Sequence, residues 1–170
     1  GDQAVRVGSA TIPVSKSLAA GGIPVVILRF KYGGVKYVGR VFGWSKGMSP
    51  DEPLSAYVTV SATTSGATPQ PFKLRLNMSP APAGWRPIEW SGEAVAGRPV
   101  QFSARADRND QWSGFREVPS EESDSRLKEY TASWETRLGS GLRLDTPERR
   151  INDSYHAWMA YNYLNVDKRK

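Results

Sequence analysis

With 170 residues, 39% of them hydrophobic and six of them Trp, the chain can bury one substantial core and is not a disordered tract. It has no Cys and a single His, His156, which excludes disulfides, thiolate metal centres, thiol nucleophiles and multi-His metal sites; no apolar run is long enough to cross a membrane as a helix. The formal charge of +6 is unevenly placed, because no acidic residue lies between Gln3 and Pro50, against Arg6, Lys16, Arg29, Lys31, Lys36, Arg40 and Lys46.

In chain order, Ala4 to Val14 alternates loosely as a first strand, closed by Pro13 and the small residues Ser17 to Gly22. The next stretch, PVVILRFKYGGVKYVGRVFGW, reads as a hairpin around Gly33-Gly34, since a two-residue hairpin loop needs positive φ and Gly adopts it freely. That turn sets Tyr32 opposite Val35, Lys31 opposite Lys36, Phe30 opposite Tyr37 and Arg29 opposite Val38. One face then carries Val26, Leu28, Phe30, Tyr32, Val35, Tyr37 and Val41, with Phe30, Tyr32 and Tyr37 expected to be buried. The other gathers Arg29, Lys31, Lys36 and Arg40. Directly paired lysines repel, so this face is either a solvated surface neutralised from elsewhere in the fold or a patch for an anionic partner.

Leu54 to Thr63 and Phe72 to Met78 alternate again and, joined by the polar loop TTSGATPQP, are expected to pair with each other. Pro80, Pro82 and Pro87 interrupt the next segment, and Ile88 to Trp90 and Glu93 to Arg105 supply further short strands. Seven or eight strands without an intervening helix predict an antiparallel β-sandwich over residues 1–118. The period changes near Asp107. VPSEESDS, from Val118 into the linker unit 119–145, reads as an acidic linker, followed by a helix over Asp124 to Leu138 with Leu127, Tyr130, Trp134 and Leu138 on one side and Gly139 as its cap. A second helix occupies 146–170, with Thr146 as N-cap and Pro147 at its first position. Its apolar arc is too wide for a surface helix: Ile151, Tyr155, Trp158 and Met159 lie on one side, Ala157, Ala160, Tyr161 and Leu164 on the other. It must therefore pack on several sides, which implies that further chain or a partner covers it. The fold class is thus mainly β, a sandwich followed by two α-helices.

Phosphate-cradling glycine motifs are absent from the sequence. Asp107-Arg108-Asn109-Asp110 starts like a calcium loop, but Trp112 stands where that loop needs Gly and Val118 where it needs Glu; neither a metal nor a cofactor is expected. His156 lies mid-helix with no acid or Ser partner legible from spacing, as a packing His does. Trp85, Trp90 and Trp112 fall in or beside loops, and Trp112 has Asp107, Asn109, Asp110 and Gln111 near it along the chain. Flat rings with polar neighbours suit sugar stacking, and each Trp could equally plug the edge of the core.

The run TASWETRL, a Gly turn and the Pro-capped TPERRINDSYHAWMAYNYLNVDKRK resemble the approach to the helical barrel of six-hairpin glycoside hydrolases, in which an N-terminal sandwich packs on an (α/α)6 barrel. YVTVSATTSGATPQPFKLRLNM is similar to a strand-turn-strand of such sandwiches. The resemblance implies a non-catalytic N-terminal portion of an exported bacterial enzyme, periplasmic or extracellular, whose catalytic carboxylate pair comes from later barrel helices. It also implies a glycan partner, an acidic polysaccharide included, met by a cleft rim of Trp112, Trp158, Tyr161 and Asn162. A free-standing β-sandwich module that binds carbohydrate or polyanions is the alternative. Nucleic acid is disfavoured, because Phe30, Tyr32 and Tyr37 fall on the face opposite the charges and cannot stack bases beside phosphate contacts.

Overall fold

The computed structural model describes residues 4–7, 10–49, 52–78, 81–109, 111–140 and 146–164, the side chains at 4–7, 10, 11, 149 and 162–164 excepted. The protein is mainly β, with antiparallel sheets and two helices, consistent with a sandwich followed by helices. Its strands are β1 (Ala4–Val7), β2 (Ala10–Pro13), β3 (Ser15–Leu18), β4 (Val26–Tyr32), β5 (Val35–Trp44), β6 (Leu54–Thr64), β7 (Gln70–Leu76), β8 (Ile88–Ala94), β9 (Val100–Arg108) and β10 (Arg116–Val118). The helices are α1 (Ser120–Gly139) and α2 (Arg149–Leu164). Six strands form one sheet in the order β10-β9-β6-β5-β4-β3, and β1–β2 and β7–β8 are separate hairpins. The single first strand expected from Ala4 to Val14 is instead the β1–β2 hairpin, after which β3 joins the large sheet.

β7 does not pair with β6, as the loop between them suggested. Both faces of β6 carry buried residues, Tyr57 and Thr59 on one and Val58 and Ala62 on the other, the pattern of a central strand. Its neighbours are β5 and β9. The chain between them leaves the sheet, forms the β7–β8 hairpin as a second layer, and returns. That hairpin buries Phe72 and Trp90. The Phe72 ring stands edge-on to Tyr37 and Phe102 at 6.2 and 5.7 Å between centroids, Trp90 stacks on Phe102 at 5.4 Å, and Phe30 stacks on Tyr37 at 4.8 Å. Val35, Ala62 and Ala94 complete this core. Burial raises the Tyr37 hydroxyl pKa, with the neighbouring Tyr32 adding to the effect.

Helix α1 lies on the opposite face of the same sheet. From Ser120 on, the stretch expected as an acidic linker is its first turns, since Glu121 and Glu122 suit the positive N-terminal end of a helix and Ser123 is buried against the sheet, its hydroxyl 2.7 Å from that of Thr59. The helix ends on Gly139, with Ser140 as the capping residue. Tyr130, Trp134 and Leu138 meet Phe42, Tyr57, Ile23 and Val25 in a second core, with Phe42 and Tyr57 stacked at 5.2 Å. Tyr130 donates to the Pro24 carbonyl at 3.2 Å, and burial pushes its hydroxyl pKa up to about 12. Trp44 Nε1 donates to Glu129 at 3.0 Å while the Arg126 guanidinium lies 4.3 Å from the Trp44 ring centroid.

Among the described side chains, helix α2 packs by a narrow side. Ala160 is buried and Met159 partly so in the α1 core; His156 and Ala157 press on the 3₁₀ turn Ala20–Gly22, so closely that a Cβ on Gly22 would lie 2.7 Å from Ala157 N. Ile151, Trp158 and Tyr161 are exposed, the last two at 61% and 64%. Among the described residues the helix is therefore not packed on several sides. Its start is clasped reciprocally: the Thr146 N–H and hydroxyl donate to Asn152 Oδ1 at 3.0 and 2.9 Å, and Asn152 Nδ2 donates to the Thr146 carbonyl at 3.0 Å.

Candidate functional site

The face shared with α1 holds the basic residues. Gly33 and Gly34 adopt φ of 54° and 79°, the left-handed pair that a tight hairpin turn requires. The resulting register pairs Tyr32 with Val35, Lys31 with Lys36, Phe30 with Tyr37 and Arg29 with Val38, as alternation predicted. Phe30 and Tyr37 face the β7–β8 layer. Tyr32 points to the same side but is 47% exposed, because it lies at the turn end; its expected burial is corrected. Arg29, Lys31, Lys36 and Arg40 alternate onto the other face, that of Ile27 and Phe42.

α1 covers only part of that face. Register places Arg40, Thr59 and Ser103 in one row across the sheet, and Ser123 closes over that row through Thr59, whose hydroxyl also lies 3.2 Å from that of Ser103. Toward the hairpin turn the next rows are exposed at β3 and β4 and half-buried at β5, β6 and β9: Ser15, Arg29, Val38, Ser61 and Gln101 in one, then Lys31, Lys36 and Thr63. The result is a polar ledge walled on one side by the start of α1. Gln101 Nε2 meets this wall by donating to both carboxylate oxygens of Asp124, at 3.3 and 3.4 Å.

The charges on the ledge are not neutralised within the described residues. Arg29 Nη1 donates to Ser17 Oγ at 3.1 Å, and none of the four cations forms an ion pair there. Of the two acids nearest in sequence, Asp51 lies outside the described residues and Glu52 makes no such pair. The protein does pair charges where it anchors α1. Arg105 donates to Asp107 Oδ1 at 2.6 Å and to Glu122 Oε1 at 3.1 Å, Ser55 donates to Asp107 at 2.7 Å, and Tyr57 donates to Glu122 at 2.9 Å. Burial would raise the Asp107 carboxyl pKa, but the bonds from Arg105 and Ser55 and the charges of Arg105 and Arg116 outweigh it, so the group is held below its usual range. Arg105 is raised, chiefly by its bond to Asp107. This cluster holds β6, β9, β10 and α1 together, and its carboxylates are thereby committed.

The aromatic candidates divide. Trp90 is core, and Trp85 is half-buried with its Nε1 donating to the Phe115 carbonyl at 3.0 Å; both plug the sandwich. Trp112 is half-buried and bridges Arg108 at the β9 edge, while Asp107, expected beside it, turns to Ser55, Arg105 and Arg116. Trp158 and Tyr161 stand on the outer side of α2, with Tyr155 and Trp158 stacked at 6.4 Å. The Asn162 side chain lies outside those described. Trp112 and α2 occupy the same end of the strands but opposite edges of the sheet, with β6, β5 and β4 between them. Beside α2, an open cavity of about 320 Å³ is lined by Leu18, Ala19 to Gly22, Asp153, Ser154 and Ala157. His156 is half-buried against Gly22. Among the described residues no cluster of three His, Asp or Glu side chains could hold a metal.

Ser61, Thr63 and Gln101 were not singled out by sequence. The signal was present in part: alternation puts Ser61 and Thr63 on the Tyr57 and Thr59 side of β6, but their adjacency to Lys36 depends on β6 pairing with β5. Comparison of the chain with protein-family models, with curated proteins and with solved structures found no match.

Proposed function

We propose that the chain is a non-catalytic binding portion of a carbohydrate-active protein and that the ledge of Arg29, Lys31, Lys36 and Arg40 engages an acidic polysaccharide. One observation carries this reading: Arg29, Lys31 and Lys36 on the rows beyond α1, and Arg40 on the row beside them, share one face with no carboxylate paired to them among the described residues. Like charges facing across adjacent strands destabilise the free protein, and a polyanion relieves that repulsion while gaining several contacts at once. A ligand of this kind fits an exported protein. In affinity electrophoresis through polygalacturonate, retardation should be strong at about 0.05 M salt and largely lost by about 0.5 M, where screening shortens the reach of each charge to a few ångströms. It should vanish in the double variant Lys31→Glu, Lys36→Glu. Retardation insensitive to both changes would sink the proposal.

A second reading rests on α2. Its outer side presents Trp158 and Tyr161, as expected if more of a helical domain, or a glycan at a cleft rim, covers it in a six-hairpin glycoside hydrolase. The Trp112 loop lies at the same end of the strands and would form a remote part of that rim. Neutral oligosaccharides should then quench the fluorescence of the wild type and not of Trp158→Ala, with the thermal midpoint nearly unchanged because the side chain is already exposed. Equal quenching in both proteins would count against a rim role.

A further inference from the structure

Resting on the polysaccharide reading above, we infer that the ledge is divided by hydrogen-bond polarity and takes a polymer bearing both anions and hydroxyl donors, laid across the strands. On β4 and β5 its polar side chains are all donors, the Arg29 guanidinium and the ammonium groups of Lys31 and Lys36, with the apolar Val38 between them. On β6 and β9 it presents acceptors. The Ser61 hydroxyl donates to the Val38 carbonyl at 3.4 Å and the Thr63 hydroxyl to the Val95 carbonyl at 3.0 Å, so with its hydrogen engaged each oxygen still has lone pairs with which to accept. Gln101 must turn Nε2 to Asp124, since a carboxylate only accepts; its Oε1 then remains to accept from a ligand.

Register places these halves side by side. Arg29, Val38, Ser61 and Gln101 form one row and Lys31, Lys36 and Thr63 the next. At about 4.8 Å between strands, the distance from Arg29 to Gln101 is roughly 14 Å, within the reach of a short oligosaccharide. Phosphate and carboxylate oxygens carry no proton at neutral pH and gain nothing from three acceptors backed by the Asp124 carboxylate. Sugar hydroxyls donate to all of them. A chain of uronate residues therefore satisfies the whole ledge, whereas inorganic polyphosphate satisfies only its β4–β5 half. RNA would need base stacking for tight binding, and no aromatic side chain belongs to these rows.

The experiment compares polygalacturonate with long-chain polyphosphate and with single-stranded RNA, at matched ionic strength, on the whole chain. Wild type should bind polygalacturonate most tightly. Ser61→Ala and Gln101→Leu should each weaken polygalacturonate binding about three- to tenfold, the loss of one hydrogen bond, and leave polyphosphate within about twofold. Ser61→Ala does not touch the Asp124 contact, so it decides the matter if Gln101→Leu disturbs α1 and lowers the thermal midpoint. Unchanged polygalacturonate binding in Ser61→Ala, or RNA or polyphosphate bound as tightly as polygalacturonate, overturns the inference, while continued dependence on Lys31 and Lys36 would preserve the basic face as a general polyanion site. Failure of the Lys31→Glu, Lys36→Glu pair to affect any polymer would instead remove the proposed function itself.

Discussion

The two faces of the six-stranded sheet are made by alternate residues of the same strands, yet they are finished differently. On one, Phe30, Tyr37 and Phe102 meet Phe72 and Trp90 of a hairpin layer. On the other, Phe42 and Tyr57 are sealed by Tyr130 and Trp134 of a helix, and the rows toward the turn carry charges and hydroxyls instead. A strand pair lies over a sheet with matching footprint, whereas one helix covers a strip about 10 Å wide. What the helix leaves open is mostly polar, with Val38 half-buried among the charges and hydroxyls. The ledge thus follows from using a helix as the third layer, and α1 both buries part of the face and supplies the wall of the rest.

The largest effect should come from breaking either cover. Trp134→Ala and Phe72→Ala each remove a buried ring and should cost about 3–5 kcal/mol, read from urea unfolding. Coincident transitions by far-ultraviolet circular dichroism and fluorescence in both variants would mean that the two covers and the sheet unfold as one unit. Early loss of helical signal in Trp134→Ala, with the strands intact, would separate the two faces into independent layers.

A smaller loss, about 1–3 kcal/mol, is expected for Gly22→Ala. The position has φ of 73°, and the new Cβ would meet the α2 backbone at Ala157 N, 2.7 Å away. Hydrogen exchange should locate the damage in α2 and leave α1 protected. Uniform loss of protection would show that α2 is as integral to the core as α1.

Asp107→Asn should cost about 1–3 kcal/mol by removing one of the two carboxylates paired with Arg105, Glu122 being the other, and it tests whether the α1 face is held partly by charge. The Asp107 pKa is lower folded than unfolded, so its contribution is complete above the unfolded value near 4 and is lost as the pH falls through the lowered folded value. Wild type should therefore lose more stability than Asp107→Asn on acidification below about pH 4. Equal slopes would show that the pair contributes nothing net. Phe72→Ala, on the other face, should retain the wild-type slope.

Alternation and turn chemistry act over a few residues, and what depends on them was legible in the sequence. The Gly33-Gly34 turn with its register, the gathering of Arg29, Lys31, Lys36 and Arg40 on one face, and the buried side of α1 at Tyr130, Trp134 and Leu138 all belong to this group, because each follows from periods of 2 or 3.6 and from backbone angles open mainly to Gly. The partner of β7, the helical state of residues 120–125 and the adjacency of Ser61, Thr63 and Gln101 to the basic residues were decided only by the tertiary structure. Strand pairing between segments distant in the chain depends on which edges and faces remain to be covered, and local pattern carries no information about that. The acidic stretch could have stayed a solvated linker on its own. It becomes the start of α1 because Ser123, Glu122 and Asp124 find Thr59, Arg105 and Gln101 across the sheet, and the same landing determines where the ledge ends.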